Sequence, residues 1–226
     1  MYEFLFPGAL LDLSRSLAGG HLAALVYPWQ VLPELKDLII ALMQTLNADE
    51  YDKVGDGVFI GKGCKLAPNV AVTGPLILGP GCEVRPGAFI RGSVLAGAGC
   101  VIGNSTELKN CILFDGAQAP HFNYVGDSVL GYKAHMGAGA ITSNLKSDKS
   151  FAQVRVDGDL IGTGLKKFGA ILGDRVEVGC NSVLNPGTVI GRDSTVYPLS
   201  LVRGYVPPNS IFKHGEGEII EKRPHA

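Results

Sequence analysis

Ile60-Gly61-Lys62-Gly63-Cys64-Lys65-Leu66-Ala67-Pro68-Asn69-Val70-Ala71 divides into two sixes, each opened by an aliphatic residue. The spacing returns in Leu78-Gly79-Pro80-Gly81-Cys82-Glu83, Ile102-Gly103-Asn104-Ser105-Thr106-Glu107 and Ile190-Gly191-Arg192-Asp193-Ser194-Thr195. A short fixed period decides the fold before any single residue is weighed. Each six forms a short strand and a tight turn. Three sixes make one turn of a triangular prism, with the aliphatic residues stacked inside. The expectation is an all-β chain: a parallel β-helix of hexapeptide repeats.

The cysteines support the count. Cys64, Cys82 and Cys100 are 18 residues apart, which is three sixes. Each takes the fifth position of its six, where a small residue faces inward, so they stack one above another. A buried free Cys behaves as a small hydrophobe. No His or second Cys stands at ligand spacing beside any of them, so no metal is expected.

The 226 residues suffice for one large domain, or one domain with a small extension, and the 31 glycines suit many tight turns. Lys plus Arg number 20 against 21 Asp plus Glu, so a net charge of −1 offers no general attraction for nucleic acid or an anionic membrane. The odd, scattered cysteines point to a reducing compartment. No cationic start precedes an apolar run and cleavage site, and the greasy run Leu38 to Met43 is too short to span a bilayer. The reading is a soluble cytoplasmic protein.

Residues 1–53 do not follow the period and are read as a helical extension that caps the prism's open end. Leu35, Leu38, Ile39, Leu42, Met43 and Leu46 recur at helical spacing, with Pro33 in the first turn. A second helix is expected between Leu10 and Leu25, broken at Gly19-Gly20. The β-helix spans residues 54–207. Its period slips at Pro120–Val129, and residues 143–169 leave it as a protruding loop with a short hairpin turning at Asp157-Gly158-Asp159. Residues 208–226 read as a tail that is partly ordered at best. A regular repeat specifies scaffold and its defects carry the functional groups, so the slip around His121 and the excursion after Asn144 are where to search.

His121-Phe122-Asn123-Tyr124-Val125-Gly126-Asp127 gathers polar groups where the period fails, and a neutral imidazole there suits a general base near pH 7. This segment, with Met136-Gly137-Ala138-Gly139-Ala140-Ile141-Thr142-Ser143-Asn144, resembles the acetyltransferase half of the bifunctional enzymes that make UDP-N-acetylglucosamine. The likeness is greatest to archaeal-type sugar-1-phosphate nucleotidylyltransferases with a C-terminal acetyltransferase domain. It extends through Lys166-Lys167-Phe168-Gly169-Ala170-Ile171-Leu172-Gly173-Asp174 and Asn185-Pro186-Gly187. Tyr27-Pro28-Trp29-Gln30-Val31-Leu32 resembles the linker joining the two halves.

The resemblance implies a left-handed parallel β-helix, a homotrimer with active sites between neighbouring prisms, and acetyl-CoA as acyl donor to an amino-sugar 1-phosphate or a nucleotide-linked amino sugar. It makes His121 the general base and places Asn144 near the acetyl carbonyl and amine. Arg85, Lys109 and Tyr124 match substrate contacts. His135 stands where relatives have a substrate-contacting Asn. Ala138 and Cys180 match positions whose backbone meets the acetyl-CoA arm, and Arg203 is a looser match for the nucleotide end. A further family Lys has two counterparts, Lys146 and Lys149, and Leu145 replaces the usual Tyr. The chemistry needs a base for the amine, a donor for the oxyanion and cations for the phosphate, but no metal.

Residues 1–26 are too few for a nucleotide-binding fold, so no nucleotidylyltransferase activity is expected. Two other readings stand beside the enzyme. One is a β-helix that trimerises or regulates, binding a nucleotide sugar or CoA without turnover. The other is a metal-dependent hydrase resembling the γ-class carbonic anhydrases. That site needs three His ligands, and only His121 and His135 lie in the central repeats.

Overall fold

The computed structural model describes residues 2–213 and 219–221. The chain winds into a parallel β-solenoid of three walls, matching the expected left-handed β-helix with short N-terminal helices. The first wall stacks Val58–Gly61, Leu76–Leu78, Val94–Ala96, Cys111–Leu113, Ser128–Leu130, Ala170–Leu172, Thr188–Ile190 and Tyr205–Val206. The second wall runs from Lys65–Leu66 to Ser210–Phe212. The third runs from Ala71–Val72 to Leu201–Val202. Strand pairs are in register, so alternate residues form inward and outward columns.

The inward columns are the aliphatic stack that the sixes predict: Leu76, Val84, Ile90, Val94, Ile102, Leu108, Val125, Met136, Leu172 and Ile190 are all buried. Cys82 and Cys100 lie in that core and Cys64 packs against it. Each thiol donates to a carbonyl on the next coil, at Gly79, Gly97 and Phe114, over 3.1–3.2 Å.

The outward columns differ by wall. On the first wall they are apolar: Ile77, Leu95, Ile112, Val129, Ile171 and Val189. These lie beneath Leu5, Leu10, Leu22, Trp29, Leu35 and Ile39 of the N-terminal extension, and beneath Val154 and Val156 of the hairpin Gln153–Val156/Asp159–Gly162. The extension therefore covers a side wall instead of capping the end. An uncovered apolar wall carries a larger penalty than one open coil edge. At that end Tyr51–Gly55 pairs antiparallel with Val58–Gly61 and closes the first wall.

The helix expected around Pro33–Leu46 is Leu35–Met43, burying Leu35, Ile39 and Met43. The second helix is Gly19–Ala23, so Gly19-Gly20 opens it and does not break it. Asp174 pins the extension. Its buried carboxylate accepts from the backbone of Asp12 at 2.7 Å and Tyr132 at 2.8 Å, and pairs with Arg192 at 3.3 Å. Strand pairing continues past 207, through Ser210–Phe212. The tail expectation for 208–226 falls partly outside the described residues.

Candidate active site

The repeat defect sits at a different corner from the one the sequence suggests. Between the second and third walls the inward positions keep a step of six throughout, from Ile102 to Leu108 and from Ala119 to Val125. His121 therefore occupies a regular corner. Between the third and first walls, Ile90 to Val94 takes four steps, whereas Leu108 to Cys111 and Val125 to Ser128 take three. Glu107–Leu113 and Tyr124–Leu130 consequently run round that corner as continuous strands. Asn110 and Asp127 hold the tightened bend at φ of 49° and 48°, in the left-handed region that Asn and Asp tolerate.

That bend makes a polar cluster. Asp127 is buried, and its carboxylate accepts from Asn110 Nδ2 at 2.8 Å, from Lys109 Nζ at 3.2 Å and from Asn144 Nδ2. Asn144 Nδ2 also donates to Tyr124 Oη at 3.2 Å. Tyr124 reaches it by lying across Gly126, where a Cβ would fall 2.5 Å from the hydroxyl oxygen. Burial, and then the Asp127 charge, push the Tyr124 phenol above its ordinary pKa, so it stays protonated. Both Asn144 N–H groups are engaged, which leaves Oδ1 as the free end. Asn144 is therefore set to accept from an amine, and an oxyanion must meet another donor.

The excursion leaves and returns beside this cluster. Phe168 N donates to Asn144 O at 3.0 Å, Gly169 N donates to Asp127 O at 2.8 Å, and Leu145 bridges Lys167. Lys166 and Lys167 are thereby brought to a cleft of about 260 Å³ shared with Asn110 and Asp127. Two lysines line that cleft, and Lys109 reaches the same carboxylate at 3.2 Å, so positive charge outnumbers negative around this corner, a field suited to a dianion. Sequence reasoning singled out neither Asp127 nor Lys167. The defect itself was the available signal for Asp127, since it is the residue on which a coil loses a position.

Across the third wall, the other corner carries a second column. His121 stands one rung above Ala138 and two above Cys180, as shown by Gly139 N donating to His121 O and Asn181 N to Ala138 O. Asn123 holds the turn: its Oδ1 accepts from His121 N at 3.0 Å and its Nδ2 donates to Gly137 O and Ala140 O. The His121 imidazole is exposed and has no hydrogen-bond partner among the described residues. Arg85 follows Glu83–Val84 two coils above this corner and donates to Glu83 at 2.8 Å.

Two expected site residues lie elsewhere. His135 is on the outer face of the second wall, 2.8 Å from Glu177, away from the cluster. Arg203 is at the far edge of the third wall from Ala138 and Cys180, beside the hairpin. The larger grooves are mainly apolar; one of about 860 Å³ lies between Leu35–Met43 and the first coil. Among the described residues no three His, Cys, Asp or Glu side chains gather as metal ligands, and no helix is long and apolar enough to cross a membrane.

Residues 72–209 match the family described as the GMPPB C-terminal domain. A bifunctional sugar-1-phosphate nucleotidylyltransferase/acetyltransferase of Sulfurisphaera tokodaii is 38% identical over 112 residues, covering 50% of this chain and 28% of the relative. The bifunctional protein GlmU of Methanococcus maripaludis is 32% identical over 200 residues, covering 87% of this chain and 48% of the relative. The chain thus spans less than half the length of these curated relatives. A solved perosamine N-acetyltransferase from Caulobacter crescentus, in complex with CoA and GDP-perosamine, aligns over 71% of this chain and 55% of that one. Its identity is 18% and its TM-score 0.39.

Proposed function

The chain belongs to the family of the GMPPB C-terminal domain, and on that premise we propose that it is an N-acetyltransferase acting on an amino sugar that bears a phosphate or nucleotide at C1. The observation that carries this reading is the pair of corners flanking the third wall. One stacks His121, Ala138 and Cys180 on successive rungs, and the other clusters Lys109, Asp127, Asn144 and Lys167. The relatives' names support the same chemistry. Acetyl-CoA lies along the His121 corner with its thioester at that rung. The sugar amine, oriented by Asn144 Oδ1, attacks the carbonyl carbon. A C–N bond forms, the amine proton passes to His121 Nε2 or Nδ1, and the C–S bond breaks to release the CoA thiolate, which takes that proton. Lys109 and Lys167 hold the phosphate, with Arg85 and Tyr124 as further contacts.

Three copies complete the site. The third wall presents Phe89, Tyr124, Ile141, Val183 and Leu201 outward, without cover. Packing this wall about a three-fold axis sets the His121 corner of one prism against the Asp127 corner of its neighbour. One observation favours a second reading, binding of CoA or a nucleotide sugar without turnover: no group among the described residues orients the His121 ring. The test incubates the protein with acetyl-CoA and a panel of amino-sugar 1-phosphates and nucleotide amino sugars, with His121→Ala alongside. Acetylated product from wild type, reduced at least 100-fold in the variant, is the expected result. CoA binding with no product from any sugar would establish the second reading.

A further inference from the structure

The two ends of the solenoid are finished differently. At the C-terminal end the inward columns stop at Val202, Val206 and Phe212, which are 0%, 0% and 8% exposed. At the N-terminal end they stop at Ile60, Leu66 and Val72, one coil before Leu78, Val84 and Ile90. Those three successors are 0–1% exposed, whereas Leu66 is 39% exposed and Ile60, Cys64, Val70 and Val72 are only partly buried. The groove of about 860 Å³ joins Leu66 and Val72 to Ile40, Met43 and Val54.

The backbone is open there too. Lys65 N and Ala67 N donate to Cys82 O and Val84 O on the coil beneath, at 2.8 and 2.9 Å, so the intervening Leu66 turns its N–H and C=O the other way. Ala71 N and Thr73 N donate to Ala88 O and Ile90 O, and Val72 is left in the same position. Among the described residues no strand pairs with that side of Lys65–Leu66 or Ala71–Val72; only the first wall is closed, by Tyr51–Gly55. An unpaired strand edge beside an exposed core end is a template for another chain. Leu66 and Val72 each offer one donor and one acceptor, so an antiparallel copy of the same edge satisfies both. The rim sets Glu50, Asp52 and Asp56 against Lys53, Lys62 and Lys65, all exposed, so two such ends meet with matched charges of both signs. A two-fold contact requires this self-complementarity.

We propose that the N-terminal end of the prism is an interface with a second copy of this chain, through which two trimers stack end to end into a hexamer. Area sets that stoichiometry. One prism end, roughly 20 Å on a side for six residues to a wall, supplies a few hundred Å², below the roughly 800 Å² per partner of a stable contact. Three ends side by side reach it. The hexamer therefore rests on the three-fold packing of the third wall proposed above. His121 lies three rungs from Lys65–Leu66, about 14 Å at roughly 4.8 Å per rung, so the contact stays clear of the acetyl-transfer corners.

The experiment is sedimentation velocity of the full chain at several concentrations. The proteins are wild type, Leu66→Asp, a negative-rim variant combining Lys53→Glu with Lys65→Glu, and a positive-rim variant combining Glu50→Lys with Asp56→Lys. Wild type is expected to run as a hexamer, and each variant alone as a trimer. The four rim side chains are exposed, so circular dichroism and Tm of the rim variants should not move even if Leu66→Asp loosens the first coil. Mixing the two rim variants should restore the hexamer, because only the mixed contact pairs opposite charges. Wild type sedimenting as a trimer at every concentration overturns the inference and leaves the edge to an extended segment of another protein. A hexamer that survives both Leu66→Asp and the negative rim also overturns it. Leu201→Asp separates this failure from that of the three-fold reading. A wild-type dimer that Leu66→Asp dissociates and Leu201→Asp does not would keep the end face and sink the trimer. A wild-type trimer that only Leu201→Asp dissociates would do the reverse.

Discussion

The first and third walls are built from the same in-register strands, and both present apolar residues outward, yet only one is covered. Ile77, Leu95, Ile112, Val129, Ile171 and Val189 on the first wall are all buried beneath the extension and hairpin. On the third wall Phe89 is 41% exposed and Leu201 66% exposed. The second wall is mostly polar outside, with Lys65, Glu83, Gln118, His135, Glu177 and Thr195. The hexad dictates only the inward residues. The outward ones are free to assign each wall a neighbour: the chain's own N-terminus, water, or another copy.

The difference is broken most forcefully at Trp29. This side chain is buried, stacks on Tyr27 at 4.4 Å and reaches Phe168 at 5.7 Å, linking the extension to the neck of the excursion. Trp29→Ala should cost about 3–5 kcal/mol, read from denaturant unfolding. Hydrogen exchange should show the amides of residues 19–43 opening while the inward columns stay protected. A cost below about 1 kcal/mol would mean that the first wall does not depend on its cover.

On the third wall the opposite behaviour is expected. Leu201→Asp puts a charge on an exposed position, so the monomer's own stability should change by no more than about 0.5 kcal/mol. Sedimentation velocity should show the proposed trimer absent and the variant running as a monomer, because the charge is desolvated only at an interface. A variant that stays trimeric would remove this wall from the interface and leave its apolar column without a role.

The inward columns were legible because a six-residue period is a direct count, and Cys64, Cys82 and Cys100 mark it independently. The extension's placement was not. Its helix shows in the spacing of Leu35, Ile39 and Met43, but which surface an apolar stripe covers depends on outward columns that the period leaves unconstrained. His121 and Asn144 were named through resemblance, and the structure puts them on different corners. Asp127 and Lys167 were missed for separate reasons. The slip was located by its residues and not by the corner at which the step shortens from four to three. Lys167 reaches the site only because the chain closes a neck across more than twenty residues, a pairing that no local pattern announces.

Asp127 sharpens the comparison at the edge where the two apolar walls meet. It touches no substrate in the proposed arrangement and acts through Asn110, Lys109 and Asn144. Asp127→Asn keeps one acceptor for two amide donors and turns an N–H toward the other, so Asn144 loses the contact that fixes which end of its amide faces the amine. The expected result is roughly a tenfold fall in kcat, about 1.4 kcal/mol, with Lys109 freed to hold the sugar phosphate and KM unchanged or lower. A purely structural role would instead lower Tm and the active fraction together, leaving kcat per active site and KM at wild-type values. Asp127→Glu tests the geometry, since it restores the charge but displaces it by one methylene. If that variant recovers Lys109 pairing without recovering kcat, the bend at φ near 48°, and not the charge, is what the corner contributes to catalysis.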